Sequence, residues 1–144
     1  MEGIYSEQSF VVNVVQQGSV LGPALFLIYI ADINQIVLHS VVKSFTDDTR
    51  VTKAIKYDAD CVCLQEDLNA VYQWSVYPNN MVFNGEKSEL LRYTELGEPI
   101  EFRYKTLDRL DIDRTNKTTD QGVVILDTAN FAEQNTNVAT RAGQ

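Results

Sequence analysis

Short strand patterns alternating with two longer helical patterns predict an α+β fold for this chain. Three observations carry that expectation. From Asp58 to Trp74, the residues Cys61, Leu64, Leu68, Val71 and Trp74 recur at spacings of three and four, the apolar stripe of a surface helix. Val41 to Phe45 and Val51 to Ile55 are strand-like runs on either side of Asp47-Asp48, whose residue type favours a tight turn. Gly22-Pro23 opens a second helical stretch, because proline is suited to the first helical turn. The expected architecture is a small antiparallel sheet containing the Asp47-Asp48 hairpin, with the helices packed on one face.

Taken in order, Ser9 to Val15 is rich in β-branched residues and predicts a strand, broken by Gln16-Gln17-Gly18-Ser19. The first helix is expected from Pro23 to Leu38. It is apolar nearly all round at its start, which predicts a buried first half. The hairpin follows, then the helix from Asp58, ended by Pro78-Asn79-Asn80. Met81 to Phe83 predicts a short strand, Asn84-Gly85 a turn, and Ser88 to Tyr93 another strand. Ile100 to Tyr104 and Gly122 to Leu126 are further strand candidates. Leu107 to Thr119, polar and charged, is expected to be a loop, and Phe131 to Gln144 to begin a helix.

The 144 residues suffice for one domain with a real core, so residues 1–144 are expected to form a single domain. The longest apolar run, Ala24 to Ala31, is too short to span a bilayer. Glu2 and Glu7 stand where a secretory signal would be basic, which predicts an intracellular chain, nuclear or cytoplasmic, with no membrane partner. Cys61 and Cys63 are two apart and cannot pair on a helix, so free thiols are expected; so few Cys and His argue against a metal site built from them. The net charge is −8. Residues 1–56 hold four basic against five acidic side chains, and residues 57–144 eight against fifteen. No basic stripe exists, and weak nucleic-acid binding by the chain alone is expected, since phosphate neutralisation supplies most non-specific affinity.

A helix from Pro23 to Leu38 carries the chain roughly 24 Å at 1.5 Å per residue. A returning strand of five or six residues covers about 17 Å. The Gly-Ser segment, the helix N-terminus and the Asp47-Asp48 turn are thereby expected near one end of the domain. A helix N-terminus offers N–H groups to a phosphate, and paired carboxylates offer oxygen ligands to Mg²⁺. Each feature alone is ordinary, since an Asp-Asp tip is usually a solvated turn.

Their order is more specific. Gln17-Gly18-Ser19-Val20-Leu21-Gly22-Pro23-Ala24-Leu25-Phe26-Leu27-Ile28-Tyr29-Ile30, followed by Asp32-Ile33, closely resembles the nucleotide- and template-contacting motif of non-LTR retrotransposon reverse transcriptases. Phe45-Thr46-Asp47-Asp48-Thr49 is similar to that family's catalytic aspartate motif, at the expected distance. Leu64-Gln65-Glu66-Asp67-Leu68, Trp74, Asn80-Met81-Val82-Phe83-Asn84 and Lys87 resemble its next palm helix and strand. The likeness extends over residues 12–93 and thinly beyond, where Asp120-Gln121-Gly122-Val123 is similar to the segment leading into the primer grip.

The resemblance implies a partial polymerase palm and two-metal nucleotidyl transfer with Mg²⁺. It implies Asp47 as the principal metal ligand and Asp48 as the second carboxylate. Gln17 and Gly18, with Ser19, would shape the pocket for nucleotide and template base. Lys87 would stand near the pyrophosphate as general acid or charge stabiliser, or else be a solvated strand-end lysine. An RNA template, a DNA primer and deoxynucleoside triphosphates would be the partners. Trp74, at helical spacing with Leu68 and Val71, is expected to be core, and His39 to cap the first helix. The Asn116-Lys117-Thr118 sequon would go unused inside a cell.

Two departures remove no catalytic group: Gln16 stands where the family usually has Pro, and Thr46, which adds a hydroxyl beside the aspartates, where it has Ala. A third does. The family places another catalytic aspartate in a strand before the Gln-Gly-Ser motif, and none of the sixteen residues before Gln17 is Asp. The expectation is therefore a reverse transcriptase fragment, inactive by itself, that lacks fingers and thumb. The alternative is a decayed or domesticated remnant acting as a small acidic binding module.

Overall fold

The computed structural model describes residues 19–45, 48–93, 100–106, 108–120 and 123–128. They fall into two compact units that divide between Asp32 and Ile33. The class is α+β, as the sequence predicts. The expected strand at Ser9 to Val15 and helix from Phe131 lie outside the described residues.

In the first unit, α1 covers Gly22–Tyr29. Pro23 stands in its first turn, and Gly22 N–H donates to Ser19 O at 3.4 Å. The helix is shorter than Pro23 to Leu38. It closes where Ile30 N–H donates to Phe26 O at 3.0 Å, and the chain tightens into a 3-10 turn over Ala31–Gln35. Asp32 and Asn34 are weak helix formers because their side chains compete for nearby backbone groups. The expected burial of the first half is overturned. Leu25, Leu27 and Ile28 are exposed, and Gly22 is the buried residue of α1.

In the second unit, β1 (Val41–Phe45) and β2 (Asp48–Thr52) form an antiparallel hairpin. Its register runs from Val41 opposite Thr52 to Phe45 opposite Asp48. The returning strand thus starts three residues before the expected Val51 and stops at Thr52. Val42 turns inward opposite Val51.

Helix α2 spans Asp58–Val76. The Asp60 carboxylate reaches back to accept from the N–H groups of Lys56 (2.9 Å) and Tyr57 (3.0 Å), satisfying donors that the first turn leaves open. Those two backbone donors hold Asp60 below its ordinary pKa. The helix ends before Pro78, and Asn80 takes a positive φ of 48°, tolerable for asparagine. Its predicted stripe is the core face: Cys61, Leu64, Val71 and Trp74 are buried. Tyr104 joins Cys61 and Leu64, with Val51, Ile55, Leu68, Leu90, Ile100, Phe102 and Ile112 packed around them. Each fully buried side chain of this size contributes about 1.5–3 kcal/mol. Burial, reinforced by the Cys61 thiol, pushes the Tyr104 hydroxyl well above its usual pKa, so it stays neutral.

The remaining strands are short: β3 (Glu89–Leu91), β4 (Asp113–Thr115), β5 (Lys117–Asp120) and β6 (Val123–Leu126). The described strands make three two-stranded pairs rather than one sheet. β1–β2 and β5–β6 are antiparallel, whereas β3–β4 is parallel. The expected loop at Leu107 to Thr119 holds β4 and most of β5. Both are largely exposed, so no apolar alternation announced them. Met81 to Phe83 and Ile100 to Tyr104 form no strand. A side chain takes the place of a neighbouring strand after Tyr104. The Gln65 amide accepts from Lys105 N–H at 2.8 Å and donates to Lys105 O at 2.9 Å.

Candidate active site

The hairpin ladder pairs residue by residue up to Phe45 and Asp48, on either side of Thr46 and Asp47. Asp47 lies outside the described residues, as do Gln17 and Gly18. Asp48 opens β2 and is exposed. Just behind it, the hydroxyls of Ser44 and Thr49 meet across the strands at 3.3 Å, tying the end of the hairpin together.

Lys87 ends a 3-10 turn, Gly85–Lys87. Asn84 caps that turn, its side-chain oxygen accepting from Glu86 N–H at 3.1 Å, while Lys87 N–H donates to Asn84 O at 3.1 Å. The turn is fastened to α2 from both sides. Tyr72 and Ser88 hydroxyls lie 3.0 Å apart, and the Phe83 ring meets Tyr72 edge-on at 5.6 Å. At Gly85 the Thr106 methyl comes so close that a Cβ would sit 3.3 Å from it. A side chain there would have to push the Thr106 methyl back by a few tenths of an ångström, so glycine suits the close approach rather than any special dihedral.

These two constructions meet at one cleft of about 690 Å³. Asp48, Thr49 and Lys43 of the hairpin line it, as do Lys87 and Ser88 of the capped turn. Its deeper lining includes Leu64, Leu68, Val71 and Tyr104. The arrangement has a carboxylate and an ammonium, both solvent-accessible, on separate rigid elements over an apolar base. It suits a polyanionic ligand that a cation could neutralise.

Ser19 belongs to the first unit. Its hydroxyl accepts from Leu21 N–H at 3.3 Å and its carbonyl from Gly22 N–H, so it shapes the entry to α1. The Gly-Ser segment and the hairpin belong to different units, each described by itself.

The reverse transcriptase (RNA-dependent DNA polymerase) family model matches residues 1–128. The chain belongs to the reverse transcriptase family. No curated protein and no solved structure matches it. Reverse transcriptases act on a nucleic-acid template with nucleotide substrates, and the family normally uses divalent metal ions. The Asp48 carboxylate is the right kind of donor for Mg²⁺, an oxygen at a solvent-accessible cleft. Among the described residues it has no pair of further His, Cys, Asp or Glu ligands around it, so they do not complete a metal centre there. No helix among the described residues is long and apolar enough to cross a membrane.

Sequence reasoning missed three groups in this member of the family. Asp67 is 2 % exposed, and its two oxygens accept from Leu38 N–H and His39 N–H at 2.9 Å each. Burial raises its pKa, but the nearby Ser40 hydroxyl and the hydrogen bonds from those two N–H groups outweigh that and hold it below the ordinary value. The signal was present: Asp67 sits three after Leu64 and four before Val71, an acid on an apolar stripe. Gln65 had no such signal. His39 does not cap α1, which ends ten residues earlier. It stands in the turn fastened by Asp67, beside Cys63 and Glu66 of α2.

Proposed function

We propose that this chain is a palm segment of a non-LTR retrotransposon reverse transcriptase, and that its 144 residues form one incomplete domain. In this reading Asp47 and Asp48 are the hairpin carboxylates that would hold Mg²⁺, and Lys87 serves the pyrophosphate side. Gln17, Gly18 and Ser19 shape the nucleotide and template pocket. Support comes from one observation above all: Asp48 and Lys87, far apart in sequence and on separate elements, line the same cleft.

Mg²⁺ would supply charge neutralisation at the reacting phosphate when bound. The chain's own residues do the positioning. The paired strands fix the base of the carboxylate turn, and the Tyr72–Ser88 and Tyr72–Phe83 contacts fix the lysine turn. The Lys87 ammonium donates to a phosphate oxygen and stabilises charge as it builds on the leaving group.

The 144 residues alone are expected to show no primer extension. A two-metal set needs carboxylates beyond Asp47 and Asp48, and net charge −8 opposes template binding. The test is incorporation of labelled nucleotide on a primed RNA template. It is run on the chain alone and on a longer chain that adds an upstream aspartate strand, fingers and thumb. The longer chain is expected to extend the primer. In it, Asp47→Ala abolishes extension, Asp48→Ala impairs it strongly, and Lys87→Ala lowers kcat by roughly 10²–10³ with the template affinity retained. Activity that survives Asp47→Ala would overturn the assignment. A longer chain that stays inactive favours the decayed remnant acting as an acidic binding module.

A further inference from the structure

The geometry points to a second metal site, for a Zn²⁺-class ion, formed by His39, Cys63 and Glu66. It is separate from the proposed Mg²⁺ carboxylates and does not depend on them. One ligand atom from each of the three residues lies within 4.8 Å of the other two. The His39 ring nitrogen Nε2 and Glu66 Oε2 are 4.0 Å apart.

Placement of the donors is built into the fold. Cys63 and Glu66 are three apart on α2, so they project from the same face one turn above the other. His39 comes from a different element, and its backbone is held at both ends. Asp67 accepts its N–H at 2.9 Å, and the Lys53 ammonium donates to its carbonyl at 3.1 Å. The buried Asp67 carboxylate thus anchors the histidine turn to α2 at the residue next to Glu66. A buried charge spent on a surface turn gives that turn a fixed position, which is what a three-donor site needs.

Donor chemistry selects the ion. One imidazole, one thiolate and one carboxylate form a borderline-soft set that suits Zn²⁺ or Co²⁺ and not Mg²⁺. Bond lengths of roughly 2.0–2.3 Å put tetrahedral donors about 3.3–3.7 Å apart. The present separations close to that by side-chain rotation, since Glu66 and His39 are exposed and Cys63 is half-buried. Three protein ligands leave the fourth position to water. The alternative for His39 and Glu66 is a surface ion pair, which makes no use of the Cys63 sulfur.

The sequence keeps the test simple, because His39 is the sole histidine and there are two cysteines. The reduced, metal-free 144-residue chain is titrated with Co²⁺ without oxygen and in excess Mg²⁺. A thiolate-to-cobalt absorption band is expected to saturate at one equivalent and to bleach on adding Zn²⁺. Cys63→Ser is expected to remove the band. His39→Ala and Glu66→Gln should each weaken Co²⁺ binding roughly tenfold or more. A measurement on the unaltered chain covers any variant that fails to fold. Zn²⁺ is expected to slow iodoacetamide alkylation of Cys63 at least tenfold, read by peptide mass spectrometry, with the buried Cys61 unaffected. No cobalt–thiolate band, a band that survives Cys63→Ser, unchanged binding by His39→Ala, or an unchanged Cys63 alkylation rate each overturns the proposal. None of these readouts involves primer extension, so the reverse transcriptase assignment stands or falls separately.

Discussion

The two helices, α1 and α2, have opposite relations between composition and burial. α1 is apolar along almost its whole length, yet Leu25 is 58 % and Ile28 72 % exposed. α2 carries Asp, Glu, Gln and Asn, yet buries Cys61, Leu64, Val71 and Trp74. Burial follows from having a partner face, not from hydrophobicity alone. α2 has such a face in Tyr104, Phe102, Leu90 and Ile112. The exposed side chains of α1 add up to the kind of apolar patch that marks a contact surface or an aggregation liability.

The largest expected effect contrasts equivalent truncations on the two helices. Leu64→Ala should cost about 2–5 kcal/mol, since it opens a cavity beneath Tyr104. Leu25→Ala should cost less than about 0.5 kcal/mol. Urea unfolding of both variants measures the difference, and equal losses would break the contrast.

Next in size is the polar anchor of α2. Asp67→Asn removes the charge from both bonds and leaves one of the two N–H groups facing an amide NH2 with no acceptor, at about 1–3 kcal/mol. The pH dependence has a definite sign. Asp67 is lowered from 3.8 in the folded chain, so its contribution is complete above that value and is lost as pH falls through the lowered one. Acid titration of stability should therefore show a loss below about pH 4, and Asp67→Asn should flatten it. An acid profile that the substitution leaves unaltered would remove Asp67 from the account.

The smallest expected effect on stability falls on α1, although its effect on solution behaviour is large. Leu25 and Ile28 are three apart on one face. The double substitution Leu25→Glu with Ile28→Glu should leave the unfolding midpoint within about 0.5 kcal/mol. It should lower self-association, seen as a smaller apparent mass in sedimentation. A chain already monomeric before the substitution would show that this face is not sticky.

Much of the candidate site could be read in the sequence because its signals are local. The β-branched runs around Asp47-Asp48 predict the hairpin, and the register ending at Phe45 and Asp48 agrees. Asn84-Gly85 predicts a turn, and a capped turn carrying Lys87 is found there. What failed was of two kinds. Strand pairing at Asp113 and Lys117 had no apolar alternation to announce it. The ends of α1 and β2 shifted because competing side-chain bonds and ladder register, rather than hydrophobic pattern, decide where an element stops.

The sequence by itself determined the α+β class, the family, the apolar stripe of α2 and the hairpin that carries Asp48. Each rests on residue types at short, fixed spacings, which backbone periodicity converts directly into a face or a turn. Only the tertiary structure decided the rest. It joined Asp48 and Lys87 in one cleft, tied Gln65 to Lys105 across forty residues, and set His39 beside Cys63 and Glu66. Those meetings depend on how α2 packs and on a buried carboxylate whose partners lie 28 and 29 residues away. No local period encodes a contact at that range, because it is the sum of burial and hydrogen bonding over the whole unit that selects it.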